Sequence, residues 1–238
     1  AVFHALRPPY ALDADELRRS ITPRTRAIIV NSPHNPTGRV FTREELQGVA
    51  DLCQEFDVIV VTDEIYEHII YDGRQHIPLA TFPGMQARTV TCGGLSKTYA
   101  ITGWRLAYTI ADVEISNAIR TVHDFTTICA PTPLQEAAVT ALRFPRSYYD
   151  QLQADYHARR ARMMAMLDDI GFQALVPEGA YYVMADFSDL GFPTDDDLVF
   201  ARWLTTEVGV AVVPGSSFYR TPGMGRGMVR FAFPKKLE

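Results

Sequence analysis

The chain has 238 residues, 47% of them hydrophobic and 21% charged, with a formal net charge of -5. That balance fits one large globular domain, or a domain with a smaller companion, and it excludes the basic footprint that nucleic acid or an anionic membrane would call for. The longest apolar runs, such as residues 58–61, are far too short to span a bilayer, and no charged-then-apolar leader is read at the start. A cytoplasmic setting is expected, with neither nucleic acid nor membrane as partner.

Residues 1–10 read as a strand followed by a loop, and Asp13 opens a short helix with Asp15 and Glu16 in its first turn. Residues 27–30 form a short apolar run of the kind found in buried parallel strands. The run stops at Asn31-Ser32-Pro33-His34-Asn35-Pro36-Thr37-Gly38, where two prolines and a glycine impose a turn. Thr42 and Glu45 have the spacing of a capping box, and Leu46, Val49, Ala50, Cys53 and Phe56 make the apolar stripe of the helix that follows. Further strands are expected at 58–61, 88–92 and 104–110. Strands alternating with helices, each too apolar to have a wet face, predict an α/β fold with a mostly parallel sheet covered by helices.

Beyond Asp112 the pattern turns helical. Ile115, Ala118, Ile119 and Val122 form one stripe, residues 134–142 another, and 145–170 a long charged helix whose Arg159, Arg160 and Arg162 read as a solvated face. Strands at 172–176 and 181–187, a helix at 197–208 and strands at 210–213 and 228–233 complete a smaller α+β domain. The division is expected between residues 1–146 and 147–238. Cys53, Cys92 and Cys129 are odd in number and lack a C-x-x-C pair, so neither a disulfide framework nor a metal site is expected.

Lys97 lies in a Ser/Thr/Gly-rich stretch, GGLSKTYAITGWR, between two of these strands. The amine would therefore sit at the carboxyl edge of the sheet, where ligands bind in open α/β folds. A lysine so placed can form a Schiff base with a carbonyl, although a lone loop lysine is ordinarily a solvated one. Other strand ends bring further groups to the same edge. Asp63 could pair with a pyridinium nitrogen, Tyr66 and Asn35 could donate to a ring phenolate oxygen, and Arg105 and Ser96 could hold a phosphate. Singly, each has a plain structural alternative: a helix cap, a turn former, a surface ion pair.

Taken together, the segments NSPHNPTG (31–38), TDEIYE (62–67), SKTYAITGWR (96–105), PEGAYY (177–182) and VRFAF (229–233) resemble the class I/II aminotransferases, pyridoxal-phosphate (PLP) enzymes of fold type I. The resemblance runs in order over nearly the whole chain. It implies that Lys97 is the Schiff-base lysine, Asp63 the partner of the pyridine nitrogen, and Asn35 and Tyr66 the partners of the ring oxygen. Ser96 and Arg105 become phosphate ligands, and Arg230 the arginine that grips the substrate carboxylate beside Asn35. It also implies ping-pong transamination between an amino acid and a 2-oxo acid, in a homodimer. Two departures stand out. Gly94 occupies a position where the family often has a phosphate-binding Ser or Thr, and the family's N-terminal third has no counterpart, so the chain reads as the second half of the large domain plus most of the small one.

Two alternatives share much of this pattern: a PLP-dependent carbon–sulfur β-lyase on the same fold, and an aminotransferase-like sensor domain of a transcription regulator. The segment 128–134 (ICAPTPL), expected near the cofactor, holds no cation for a second carboxylate. That favours a neutral or aromatic amino donor.

Overall fold

The computed structural model describes residues 5–235. The strand expected over residues 1–10 falls partly outside them, and residues 5–10 form loop and turn. Helix α1 (Ala14–Ser20) starts where the Asp13 carboxylate accepts hydrogen bonds from the backbone N–H groups of Asp15 and Glu16 at 2.8 and 3.0 Å. Strand β1 (Ala27–Asn31) follows, then α2 (Arg43–Glu55) behind the predicted capping box. Glu45 N–H donates to Thr42 Oγ1 at 3.2 Å, and Thr42 N–H donates to Glu45 Oε2 at 2.6 Å. The buried face of α2 is Leu46, Val49, Ala50, Leu52 and Cys53. Phe56 was expected on that stripe, but it lies past the last helical turn and is 40% exposed.

Strands β2 (Ile59–Asp63) and β3 (Thr89–Gly94) run parallel to β1, in a register that aligns Asn31 with Asp63 and Asp63 with Cys92. Their carboxyl ends therefore finish level with one another. A single helical turn, α3 (Leu95–Thr98), follows β3 directly, and β4 (Ala107–Ile110) returns. This fourth strand was expected to be parallel and is antiparallel, with Gly94 opposite Ala107. A parallel partner needs a crossover that carries the chain back to the other end of the sheet, whereas residues 95–106 fold into α3 and a 3₁₀ turn at the same end. Val30, Val58 and Val60 pack with the α2 face and with Leu79, Phe82 and Met85 into one core.

The opposite side is open among the described residues. Ile29 is 77% exposed and every residue of β4 is exposed. The expected stripe of α4 (Val113–Thr126) exists, but that helix buries no residue, and α5 (Thr132–Leu142) buries only Ala138. The apolar pattern is present; the surface that would cover it is not among the described elements.

Helix α6 (Arg146–Ile170) ends at Gly171, whose φ of 100° lets its N–H reach the carbonyls of Leu167 and Asp168. It leads into a second, antiparallel sheet of β5 (Gln173–Ala174), β6 (Tyr182–Asp186), β7 (Val213–Pro214) and β8 (Met228–Ala232), in the order β5-β6-β8-β7. Helix α7 (Asp197–Trp203) packs Phe200 against Phe187, the rings stacked 3.9 Å apart within a core that includes Val183, Val229 and Phe231.

Charged and backbone contacts join the two sheets. The Arg160 guanidinium, expected to be solvated, is buried and donates to both Asp72 carboxylate oxygens at 2.6 and 2.7 Å and to the Pro177 carbonyl at 2.8 Å. Arg160 stands one turn after buried Tyr156 on the face that continues to Leu167, and a charge within such a stripe reads as solvated until its partners are seen. Arg39 grips both oxygens of Glu178 at 2.7 Å, and the Gly38 carbonyl accepts from the Glu178 and Gly179 N–H groups at 2.8 Å. A Cβ at Gly38 would come within 2.3 Å of Pro177 Cβ, so the NSPHNPTG turn and the PEGAYY segment close on each other only with glycine there. Asp72→Ala would leave the Arg160 charge buried and short of acceptors. It is expected to lower the unfolding free energy by about 1–3 kcal/mol, read as a shift of the urea midpoint at unchanged m-value.

Candidate active site

The three aligned strand ends build the site. Asn31 Nδ2 donates to the Asp63 carbonyl at 2.9 Å, and Asn31 Oδ1 accepts the Asn35 N–H at 2.7 Å, which fixes the turn after β1 to the end of β2. Within that turn His34 is partly buried, its Nδ1 2.8 Å from Thr37 Oγ1, and loss of solvent holds its pKa down to about 4. It is therefore neutral at neutral pH and adds no charge beside Asn35.

Asn35 Oδ1 accepts a hydrogen bond from Arg230 Nη1 at 2.7 Å across the two sheets. The Arg230 guanidinium lies against two rings, 4.2 Å from the centroid of Tyr182 and 5.0 Å from that of Phe218. Its Nε is buried and has no acceptor. A buried guanidinium N–H without a partner is costly, and an incoming oxygen anion would relieve that cost.

Asp63 ends β2 half-buried. Loss of solvent pushes its carboxyl above the ordinary carboxylate range, offset in part by the Ile65 N–H and by the charge of Lys97. Lys97 sits on α3, with Nζ 5.9 Å from the Tyr181 ring centroid. It was expected in a loop; the helical turn places it instead on ordered backbone directly beyond Gly94. Gly94 itself leaves little room for a side chain, since a Cβ there would stand 3.0 Å from Ile65 Cδ1. A hydroxyl-bearing residue at that position would have to displace Ile65.

Tyr66 is buried, with its ring edge-on to Tyr181 and Tyr182 and its hydroxyl donating to the Tyr182 hydroxyl at 3.1 Å. Burial drives its pKa up, so it stays a neutral phenol. Ser96 is buried next to Lys97. Arg105 is exposed at the end of the 3₁₀ turn, with φ of 55° and Nη1 donating to the Thr102 carbonyl at 3.2 Å. The structure thus gathers Asn35, Asp63, Tyr66, Lys97 and Arg230 about one sheet edge, with Ser96 on the lysine's own turn and Arg105 at the rim. Ala130 and Leu134 of the 128–134 segment pack against a small cluster containing Leu95, two positions before the lysine.

Sequence reasoning gave no role to Tyr182 or Phe218. Tyr182 stands within the quoted PEGAYY motif, so a signal existed; Phe218 follows Gly-Ser-Ser in an irregular segment and carries none. Glu64, Glu67 and His76 also approach one another, but the two Glu64 oxygens already have partners in Thr62 Oγ1 and His76 Nε2, both at 2.7 Å.

Among proteins of known sequence, human kynurenine–oxoglutarate transaminase 3 is 37% identical over 243 residues, covering 95% of this chain and 54% of that protein. Among solved structures, the Mycobacterium tuberculosis N-succinyldiaminopimelate aminotransferase superposes with a TM-score of 0.92 at 39% identity, over 95% of this chain and 59% of the other. The aromatic aminotransferase of Pyrococcus horikoshii does so at 0.86 and 37%, over 95% and 60%. The chain spans about half the length of the curated relatives it matches. The profile of aminotransferase class I and II matches residues 4–235, and with that match and a common fold this chain belongs to that family.

Proposed function

We propose that this chain carries the lysine-bearing half of an aminotransferase that moves an amino group between an amino acid and a 2-oxo acid. The observation that carries the proposal is the pairing of Arg230 and Asn35 beside Lys97 and Asp63, with a buried guanidinium N–H short of an acceptor. Enzymes of the family work with pyridoxal phosphate, and the donor set fits that group: an amine, a carboxylate, a phenol and an amide meet at one edge, with a serine and an arginine nearby. Bound there, the cofactor supplies an electron sink for the carbanion left when the substrate loses its Cα proton.

The chain's residues do the rest. Arg230 takes the α-carboxylate in a two-point grip, and Asn35 holds the guanidinium plane so that the grip has one orientation. That orientation would let one Cα–H bond be offered to the Lys97 amine. Lys97 would hold the cofactor's aldehyde carbon at rest and, with its amine free, would take the Cα proton and deliver it to that carbon, two bonds from Cα. Asp63, kept anionic by a cationic ring nitrogen, maintains the charge that makes the ring an acceptor. Tyr66 and Asn35 would steady the ring oxygen, and Ser96 and Arg105 would meet the phosphate. Because amino donor and oxo acceptor both end in a carboxylate, the same Arg230 serves each in turn, which suits a ping-pong cycle.

The absence of a cation from residues 128–134 supports a neutral or aromatic donor, in keeping with relatives named for kynurenine and for aromatic substrates. No helix among the described residues is long and apolar enough to cross a membrane. A homodimer in the cytoplasm, with a domain division near Arg146, completes the proposal.

Arg230→Leu in the intact protein is expected to raise KM for amino acids by about 10–100-fold, the worth of a charge-assisted pair, with a smaller fall in kcat because the carboxylate is held in ground and transition states alike. Amines that lack a carboxylate should be little affected. An equal loss with both substrate classes would remove Arg230 from this role.

A further inference from the structure

We infer that Tyr182 is a positioning residue that couples the carboxylate-gripping arginine to the phenol beside the cofactor ring, an inference that rests on the aminotransferase reading above. Tyr182 opens β6, is 8% exposed, and pairs with Ala232 of β8, two positions beyond Arg230. One face of its ring carries the Arg230 guanidinium at 4.2 Å. Its hydroxyl accepts from the Tyr66 hydroxyl at 3.1 Å. The same rigid ring therefore touches the group assigned to the substrate carboxylate and the group assigned to the cofactor.

The two contacts do different work. With the rings of Tyr182 and Phe218 against it and Nη1 committed to Asn35, the guanidinium is restrained in the plane in which it offers its remaining edge. A bidentate carboxylate contact depends on that plane being fixed before the substrate arrives. On the other side, Tyr182 supplies an acceptor for the Tyr66 proton. While it does so, Tyr66 is held off from donating fully to a second oxygen, so Tyr182 moderates how strongly Tyr66 stabilises a phenolate on the ring. A tyrosine meets both demands; phenylalanine would meet only the first, and an aliphatic residue neither.

The test uses the intact protein loaded with pyridoxal phosphate and two readouts that need no turnover. One is the affinity for 3-phenylpropionate, a carboxylate without an amino group, by titration calorimetry. The other is the pH midpoint of the bound cofactor's visible absorbance. Tyr182→Phe should bind the carboxylate within about twofold of wild type, since the cation–π face remains, yet show a lowered midpoint, because the freed Tyr66 proton turns to the ring oxygen. Tyr182→Leu should weaken carboxylate binding by about fivefold or more, the scale of a desolvated cation–π contact, and lower the midpoint as well. Arg230→Leu sets the floor for carboxylate affinity.

Undiminished binding by Tyr182→Leu alongside a clear loss in Arg230→Leu would overturn the role of Tyr182 alone. Wild-type binding by Arg230→Leu would overturn the aminotransferase reading and the inference with it. An unmoved midpoint in Tyr182→Phe, which keeps the packing of the core and so decides the matter even where Tyr182→Leu does not fold, would remove the link to Tyr66.

Discussion

Lys97→Ala in the intact protein is expected to abolish turnover, with a loss of at least about 10⁴-fold. Two functions leave with one amine: the anchor that holds the cofactor at rest, and the base that carries the Cα proton. No described neighbour stands ready to replace it. The groups around α3 are buried Ser96 and Thr98, and the Tyr181 ring lies 5.9 Å from the amine. A neutral phenol that burial holds well above its ordinary pKa is a poor base. The fold should survive, because the side chain adds no core packing to α3, whose buried members are Leu95, Ser96 and Thr98. The measurement is a coupled assay of amino transfer, together with a far-ultraviolet spectrum to establish that the protein is folded. Retention of most of the activity would dismiss Lys97 from both functions.

The second large effect belongs to Asp63. Asp63→Asn keeps the shape of the side chain and removes its charge, so the cofactor should still bind while Cα proton removal slows by about a hundred- to a thousandfold, as when one preorganised electrostatic partner is taken from an active site. Burial makes the point sharper. The Asp63 carboxyl is half-buried and its charged form is already disfavoured by lost solvent, so the site spends stability to keep a carboxylate there. A cationic ring nitrogen would repay that cost, and an amide would give it nothing to pair with. Exchange of a Cα deuterium into water isolates this step from product release. An exchange rate equal to wild type would make Asp63 a structural residue that shapes the end of β2.

Much of this was legible in the sequence because it depended on local chemistry. The Asp13 cap, the Thr42–Glu45 box and the Asn31–Gly38 turn each involve residues a few positions apart, and each formed as its spacing predicted. The parallel β1-β2-β3 core followed from short apolar runs separated by a helix and loops. What escaped was set by partners distant in sequence. Arg160 is indistinguishable from its solvated neighbours until Asp72 and the Pro177 carbonyl are brought to it. The direction of β4 depends on how residues 95–106 fold, and nothing in an apolar run states which way it will travel. Phe218 reaches Arg230 from a 3₁₀ turn that has no period to read. The site itself sits between these cases: its residues were visible as motifs, but the bond from Arg230 to Asn35 joins positions 195 apart and exists only in the folded chain.

The antiparallel return of β4 bears on chain entropy. Had the strand after Lys97 crossed over to run parallel, the backbone carrying the amine would belong to a long connection, free at one end of the sheet until a distant segment docked. Pairing Gly94 with Ala107 instead closes residues 95–106 into a short loop the moment the two strands meet. Closure entropy rises with the logarithm of loop length, so this short loop surrenders little freedom on folding. The amine is thereby located by contacts close in sequence, ahead of the long-range bridges that bring Arg230 across. None of the strand pairs that fix the loop ends involves the second sheet.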